Sequence, residues 1–91
     1  MEIKSGTKQF YFGESEEKAL ARITYYFRSD RVIVVDHTFV HPSLRGQGIG
    51  KQLLDRVIAM ARSENLKIIP TCNFAISEFG KHPEFSDVLE K

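Results

Sequence analysis

The segment Phe39-Val40-His41-Pro42-Ser43-Leu44-Arg45-Gly46-Gln47-Gly48-Ile49-Gly50-Lys51-Gln52-Leu53-Leu54 decides the fold. A β-prone run gives out at His41-Pro42, glycines take positions 46, 48 and 50, and a helical pattern starts at once. Ile49, Leu53, Leu54, Val57, Ile58 and Ala61 recur at three- and four-residue steps, the spacing of one apolar helix face. That pattern runs out at Ser63-Glu64-Asn65. The first turn of a helix carries unpaired N–H groups and the positive end of the macrodipole. Glycines let those groups approach a diphosphate without Cβ atoms in the way. Arg45 and Lys51 add positive charge at the rim.

Upstream, Val32 to Val40 is apolar at both parities, with Ile33, Val35 and Phe39 on one side and Val32, Val34 and Val40 on the other. Such a strand is expected in the middle of a sheet covered on each face. Leu20 to Phe27 is a strand with Ala21, Ile23, Tyr25 and Phe27 on one face, joined to the next by the turn Arg28-Ser29-Asp30-Arg31. Lys8 to Phe12 reads as an aromatic strand closed by Gly13-Glu14-Ser15, and the charges of residues 14–18 as a solvated loop. Downstream, Leu66 to Thr71 is a second buried strand, giving a β-α-β unit with a right-handed crossover. Asn73 to Phe79 is expected to be helical and to end at Gly80, and Pro83 to open a last short helix or turn through Leu89. The predicted class is mixed α/β, a single sheet of antiparallel strands leading into one β-α-β unit.

Composition narrows the function. Ninety-one residues, 42% of them hydrophobic, suit a single domain over 1–91. Thirteen basic residues against twelve acidic ones disfavour a nucleic-acid module, which concentrates positive charge. No apolar run approaches the roughly 18–20 residues that span a bilayer. Met1-Glu2-Ile3-Lys4-Ser5-Gly6 lacks a signal-peptide core. One cysteine, Cys72, cannot form an internal disulfide and fits a reducing, cytoplasmic setting. One Cys and three scattered His show no metal-ligand spacing, so no metal is expected.

Three phosphate motifs compete for the glycine turn. A Walker loop fails because Gly46 to Gly50 is one residue short and Gln52 stands where a hydroxyl is needed. The dinucleotide fingerprint fails because Lys51 occupies the third glycine position, and Lys67 to Thr71 lacks the acidic residue expected further on. Arg/Gln-x-x-Gly-x-Gly/Ala fits, through Arg45, Gly48 and Gly50. On these residues the segment 39–54 resembles the GNAT superfamily of N-acetyltransferases. The resemblance covers roughly Val32 to Lys81 and implies that the turn holds the diphosphate of CoA, with acetyl-CoA as acyl donor. It also implies that the pantetheine arm runs along Thr38, Phe39 and Val40, in a splay between that strand and Lys67 to Thr71. The implied cofactor-binding set is Thr38, Phe39, Val40, Arg45, Gly46, Gln47, Gly48, Ile49, Gly50, Lys51 and Asn73. The chain is shorter than most members, lacking the helical region usual between the first strands, and is most similar to the small stand-alone ones.

Many members of the superfamily carry Asn-x-x-Ala-(apolar)-x-x-Tyr after the second parallel strand, with the Tyr hydroxyl placed to protonate the CoA sulfur. In that register Cys72 takes the Asn position and Phe79, which has no hydroxyl, takes the Tyr position. Three candidates then remain for catalysis. Cys72, at the expected thioester, either protonates the leaving thiolate, accepts the acetyl group itself, or is a small packing residue. His37, beside Asp36, is a base for the incoming ammonium or a structural histidine. His82 lies past the short helix and could close over the fork, whereas His41 suits a surface role or cofactor contact. Tyr25, Tyr26 and Phe27 read as sheet packing. The leading expectation is an acetyl-CoA-dependent N-acetyltransferase acting on an amine of unspecified identity. The alternative is a CoA-binding or acyl-sensing module with little turnover; a nucleotide-phosphate binder is disfavoured by the spacing. The expected assembly is a monomer or weak homodimer, because a short chain leaves sheet edges that can pair.

Overall fold

Alternating β-branched and aromatic residues build most of the sheet, and an apolar helical stripe covers it. The computed structural model describes residues 2–90. Strands β1 (Lys4–Gly6), β2 (Gln9–Gly13), β3 (Ala19–Ser29) and β4 (Val32–Val40) come first, and a 3₁₀ turn at Pro42–Leu44 leads to α1 (Ile49–Glu64). Strand β5 (Lys67–Pro70), α2 (Asn73–Lys81) and a 3₁₀ segment (Pro83–Val88) complete the order. The five strands lie side by side in chain order. Strands β1 to β4 are antiparallel neighbours and β5 pairs parallel to β4, as the mixed α/β reading requires. Strand β1 is an addition: Lys4-Ser5-Gly6 has no alternation and is a strand only through its pairing with Gln9, Phe10 and Tyr11.

The six residues of the predicted α1 stripe are the six that this helix buries. Each contributes on the order of 1.5–3 kcal/mol through burial, less for Ala61. They pack with Phe10, Ala21, Ile23, Ile33, Val35, Ile68, Ala75, Phe85 and Val88 in one core. Both helices and the last 3₁₀ segment therefore cover the same face of the sheet.

Two expectations about β4 are corrected. Its register against β3 shifts between Thr24 and Tyr25, because Asp36 is an extra residue facing neither. A bulge of this kind inverts the parity that follows. Val40 pairs with Ala21 and Thr38 with Ile23, so these residues turn to the covered face with Ile33 and Val35. His37 and Phe39, opposite Thr24 and Arg22, turn to the other face with Val32 and Val34. The second correction is that this other face has no covering layer among the described residues. Val34 is buried there, but Tyr26, Leu20 and Phe39 are exposed.

Helix α2 passes through Gly80 and ends at Lys81, capped by His82, whose backbone leaves the helical region just before Pro83. Glu16 is no solvated loop residue: its Oε1 accepts from the Thr7 N–H and from Gln9 Nε2. The outer edge of β5 is taken, since Leu89 bridges to Ile68 and the Glu90 N–H donates to the Ile68 carbonyl at 2.9 Å. That pairing covers the middle of the β5 edge.

Candidate functional site

Strand β4 has two halves with different neighbours. Val32 to Val35 lies between β3 and β5. The β5 ladder ends at Pro70, and the Thr71 N–H makes the last contact, to the Val35 carbonyl at 3.0 Å. Beyond it the chain turns into α2, while β4 continues to Val40 paired with β3 alone. The His41 N–H donates to the Leu20 carbonyl at 2.7 Å. Alternation along an antiparallel ladder then turns the main-chain groups of Thr38 and Val40 away from β3, into the gap that β5 has left. This gap is the predicted splay.

The gap opens on a cleft of about 520 Å³, lined by Thr38, Val40, Leu44, Arg45, Gly46, Gly48, Ile49, Gly50, Lys51, Phe74 and Glu78. At its mouth α1 starts on Gly48, which has a positive φ of 73° and makes no side-chain cap. The first intrahelical bond is from the Gln52 N–H to the Gly48 carbonyl. The N–H groups of Ile49, Gly50 and Lys51 thus have no partner within the helix. An uncapped helix start facing a cleft is an anion cradle. Gly46, at φ 82°, and Gly48 both have open space where a Cβ would point. Gly50 serves a different need: a Cβ there would stand 3.0 Å from the ring of Phe74, so it lets α2 pack against the start of α1. The Arg45 Nε donates to the Val40 carbonyl at 3.4 Å, and Lys51 pairs with Asp55 at 3.2 Å.

Cys72 sits at the end of the fork, with its Sγ 3.5 Å from the Thr38 hydroxyl. Its neighbour Asn73 opens α2, exposed and outside the cleft wall. Phe39 and Gln47 are also outside that wall, Phe39 because of the bulge. His37 lies on the uncovered face, beside Thr24, whose hydroxyl donates to Asp36 at 2.7 Å. His41 caps the 3₁₀ turn, accepting from the Ser43 N–H at 3.1 Å. His82 is at the far end of α2, roughly 15 Å along the helix from Cys72. It contacts Glu78 at 3.5 Å and Glu84 at 3.2 Å and stacks on Phe85. Phe79 packs edge-on against Phe85, 5.7 Å between centroids. The cleft brings together Thr38, Val40, Arg45, Gly46, Gly48, Ile49, Gly50 and Lys51; Cys72 is outside its wall and touches it through Thr38, while the three histidines stand apart.

Sequence reasoning missed Leu44, Phe74 and Glu78. Phe74 and Glu78 are one turn apart on α2 and share a face. The available signal was Glu78 itself, a carboxylate three residues after the buried Ala75, where the apolar stripe should continue. No cluster of metal-ligating side chains occurs among the described residues, and no helix is long and apolar enough to cross a membrane.

The comparisons with known proteins bear on the family and the fold. The family model for the GCN5-related N-acetyl-transferase matches residues 9–88. The solution structure of a GCN5-like protein from Staphylococcus aureus is 47% identical, with a TM-score of 0.84, over 98% of this chain and 87% of that one. A GNAT family acetyltransferase from Elizabethkingia anophelis, with acetyl-CoA bound, shares the fold at 19% identity and TM-score 0.59, over 85% of this chain and 51% of its own. A ribosomal-protein-alanine N-acetyltransferase from Brucella melitensis does so at 19% and 0.60, over 91% and 62%. The chain thus spans only half to three fifths of those two larger proteins. No curated protein matches it. A family match across nearly the whole chain, joined to the splayed strands and the glycine-started helix, makes this chain a member of the GCN5-related N-acetyltransferase family.

Proposed function

We propose that the chain takes an acetyl group from acetyl-CoA and passes it to an amine by way of Cys72. The observation that carries this reading is a thiol set directly behind the cleft wall, in contact with one of its lining residues. Unclaimed amides of residues 49–51 line its mouth, Thr38 lines its inner end, and Cys72 lies 3.5 Å from Thr38. The amides and Arg45 hold the diphosphate of the acyl donor. The main-chain groups of Thr38 and the N–H of Val40 receive its arm in place of the missing strand.

In the first step the Cys72 thiolate attacks the thioester carbonyl, forming an S–acetyl bond as the bond to the CoA sulfur breaks. The proton shed by Cys72 ends on the departing CoA thiolate, and the Thr38 hydroxyl is placed to relay it. In the second step a neutral amine attacks the acetyl-Cys72 carbonyl. The new amide forms as the C–S bond breaks, Cys72 leaves as thiolate, and the ammonium proton passes to solvent. Phe79 has no hydroxyl and lies in the Phe85 contact, so a tyrosine-type acid is not required of it. His37 and His82, away from Cys72, are left out of both steps.

Intact-mass measurement under single-turnover conditions tests the covalent route. One acetyl group is expected on the wild-type protein and none on Cys72→Ala, with CoA affinity kept within about threefold. Acetyl transfer to amines at undiminished rate in Cys72→Ala would overturn it. The packed Phe79 also favours a second reading, a CoA-binding or acyl-sensing module with little turnover. Tight acetyl-CoA binding with neither an adduct nor thiol release over a panel of amines decides for that reading.

A further inference from the structure

Glu78 is the only polar or charged residue among the buried side chains described, at 8% exposure, and it lines the cleft. Its position is at odds with an anion site. Arg45, Lys51 and a helix start gather positive potential at the mouth, and α2 then sets a carboxylate into the same wall. Burying a carboxylate is unfavourable unless it is paired or bonded. Its pairing here is loose: Lys81 Nζ and His82 Nε2 both stand at 3.5 Å, and the Lys81 side chain is 66% exposed. No donor among the described residues reaches it in hydrogen-bond geometry. Its remaining acceptor capacity therefore opens on the cleft.

A carboxylate accepts and cannot donate. It repels a diphosphate and suits a neutral group rich in N–H and O–H. Of the two parts of CoA, the nucleotide half carries the phosphates, whereas the pantetheine arm carries two amide N–H groups and a hydroxyl. Phe74 and Glu78 follow each other along the inner face of α2, the helix that starts at the fork beside Thr38 and Cys72. We infer that Glu78 accepts a hydrogen bond from the pantetheine arm, making it the residue by which the cleft discriminates CoA thioesters from plain adenine nucleotides. The inference rests on the acyl-CoA reading above and adds a residue to it.

Binding of two probes separates this role from a bulk electrostatic one. The probes are CoA and its nucleotide half, phosphorylated ADP without the arm, each titrated calorimetrically into wild type, Glu78→Leu and Glu78→Gln. Removing the charge alters the attraction for both ligands alike, so the readout is the ratio of the two Kd values, CoA over nucleotide half. Glu78→Leu raises that ratio by about tenfold, as loss of a charge-assisted bond does, and Glu78→Gln, which keeps an acceptor oxygen, by about threefold. A ratio unchanged within about twofold in the variants overturns the inference, whichever way the absolute affinities move. Should Glu78→Leu fail to fold, the ratio in Glu78→Gln decides alone by the same limits. An unchanged ratio beside intact wild-type CoA binding sinks only the role of Glu78. A wild-type protein that binds neither probe sinks the acyl-CoA reading and this inference together.

Discussion

The two halves of β4, Val32-Ile33-Val34-Val35 and Asp36-His37-Thr38-Phe39-Val40, belong to one strand and have different surroundings. Val32 to Val35 has a strand on each side, and Ile33, Val34 and Val35 are buried. Asp36 to Val40 has a strand on one side, and Thr38 and Val40 face a cleft where β5 would have continued. The first half pairs its main-chain groups on both sides, and the second leaves one side without a neighbouring strand. What separates them is one inserted residue, Asp36, together with the chain's departure from the sheet after Thr71.

That division is most severely tested in the closed half. Ile33→Ala leaves a cavity between the sheet and α1 and is expected to lower unfolding free energy by about 3 kcal/mol in urea titration. A loss below about 1 kcal/mol would mean that the closed half is not what anchors the sheet. Next in size is the cradle. Gly48→Val forces a β-branched residue to a φ of 73°, at a cost of about 1–2 kcal/mol, and re-aims the amides behind it. CoA affinity should fall by more than about thirtyfold, read by calorimetry. Unchanged affinity would show that the amides are not the anion site. Thr38→Val, in the open half, keeps the shape and deletes the hydroxyl. Stability should move by less than about 1 kcal/mol, while acetylation of Cys72, followed by intact mass, slows by about fivefold. A large stability loss from this substitution would erase the contrast between the halves.

How much of this is legible in the sequence depends on what each feature needs. Helix α1 is legible because its buried set, Ile49 to Ala61, is written at helical spacing and nothing interrupts it. The cradle is legible because glycine spacing and a helix start are both local. The faces of β4 are legible only up to Asp36, since counting by twos assumes an unbroken pleat and a bulge leaves no mark on apolar residues. His37 and Phe39 are misplaced by that assumption alone. Strand β1 is illegible because Lys4, Ser5 and Gly6 bring pairing groups but no apolar side. The missing second cover also escapes the sequence: Val34 is apolar and buried on the uncovered face, so it reads like a residue beneath a layer. Glu78 and Phe74 belong to the cleft through the direction in which α2 leaves the fork, which no periodicity states.

The smallest effect is expected at the closed end, far from the cleft mouth. Arg62 on α1 donates to both carboxylate oxygens of Asp87, at 2.9 and 3.0 Å, and to the Glu84 carbonyl at 2.9 Å. It fastens the last 3₁₀ segment over the core without touching the cleft lining. The Arg62 hydrogen bonds hold the Asp87 carboxyl below its ordinary range. A carboxyl lowered in the folded state contributes stability above its unfolded pKa and loses that contribution as pH falls through the folded value. These groups are exposed, so solvent screens the pair and its contribution is small. Arg62→Ala should lower Tm near neutral pH by no more than about 4 °C, and the gap from wild type should close as the solution is acidified below about pH 4. CoA affinity should stay within about twofold of wild type. A loss of affinity would mean that α1 transmits strain from its last turn to its first, and the closed and open ends of the β-α-β unit would then have to be treated as one coupled element.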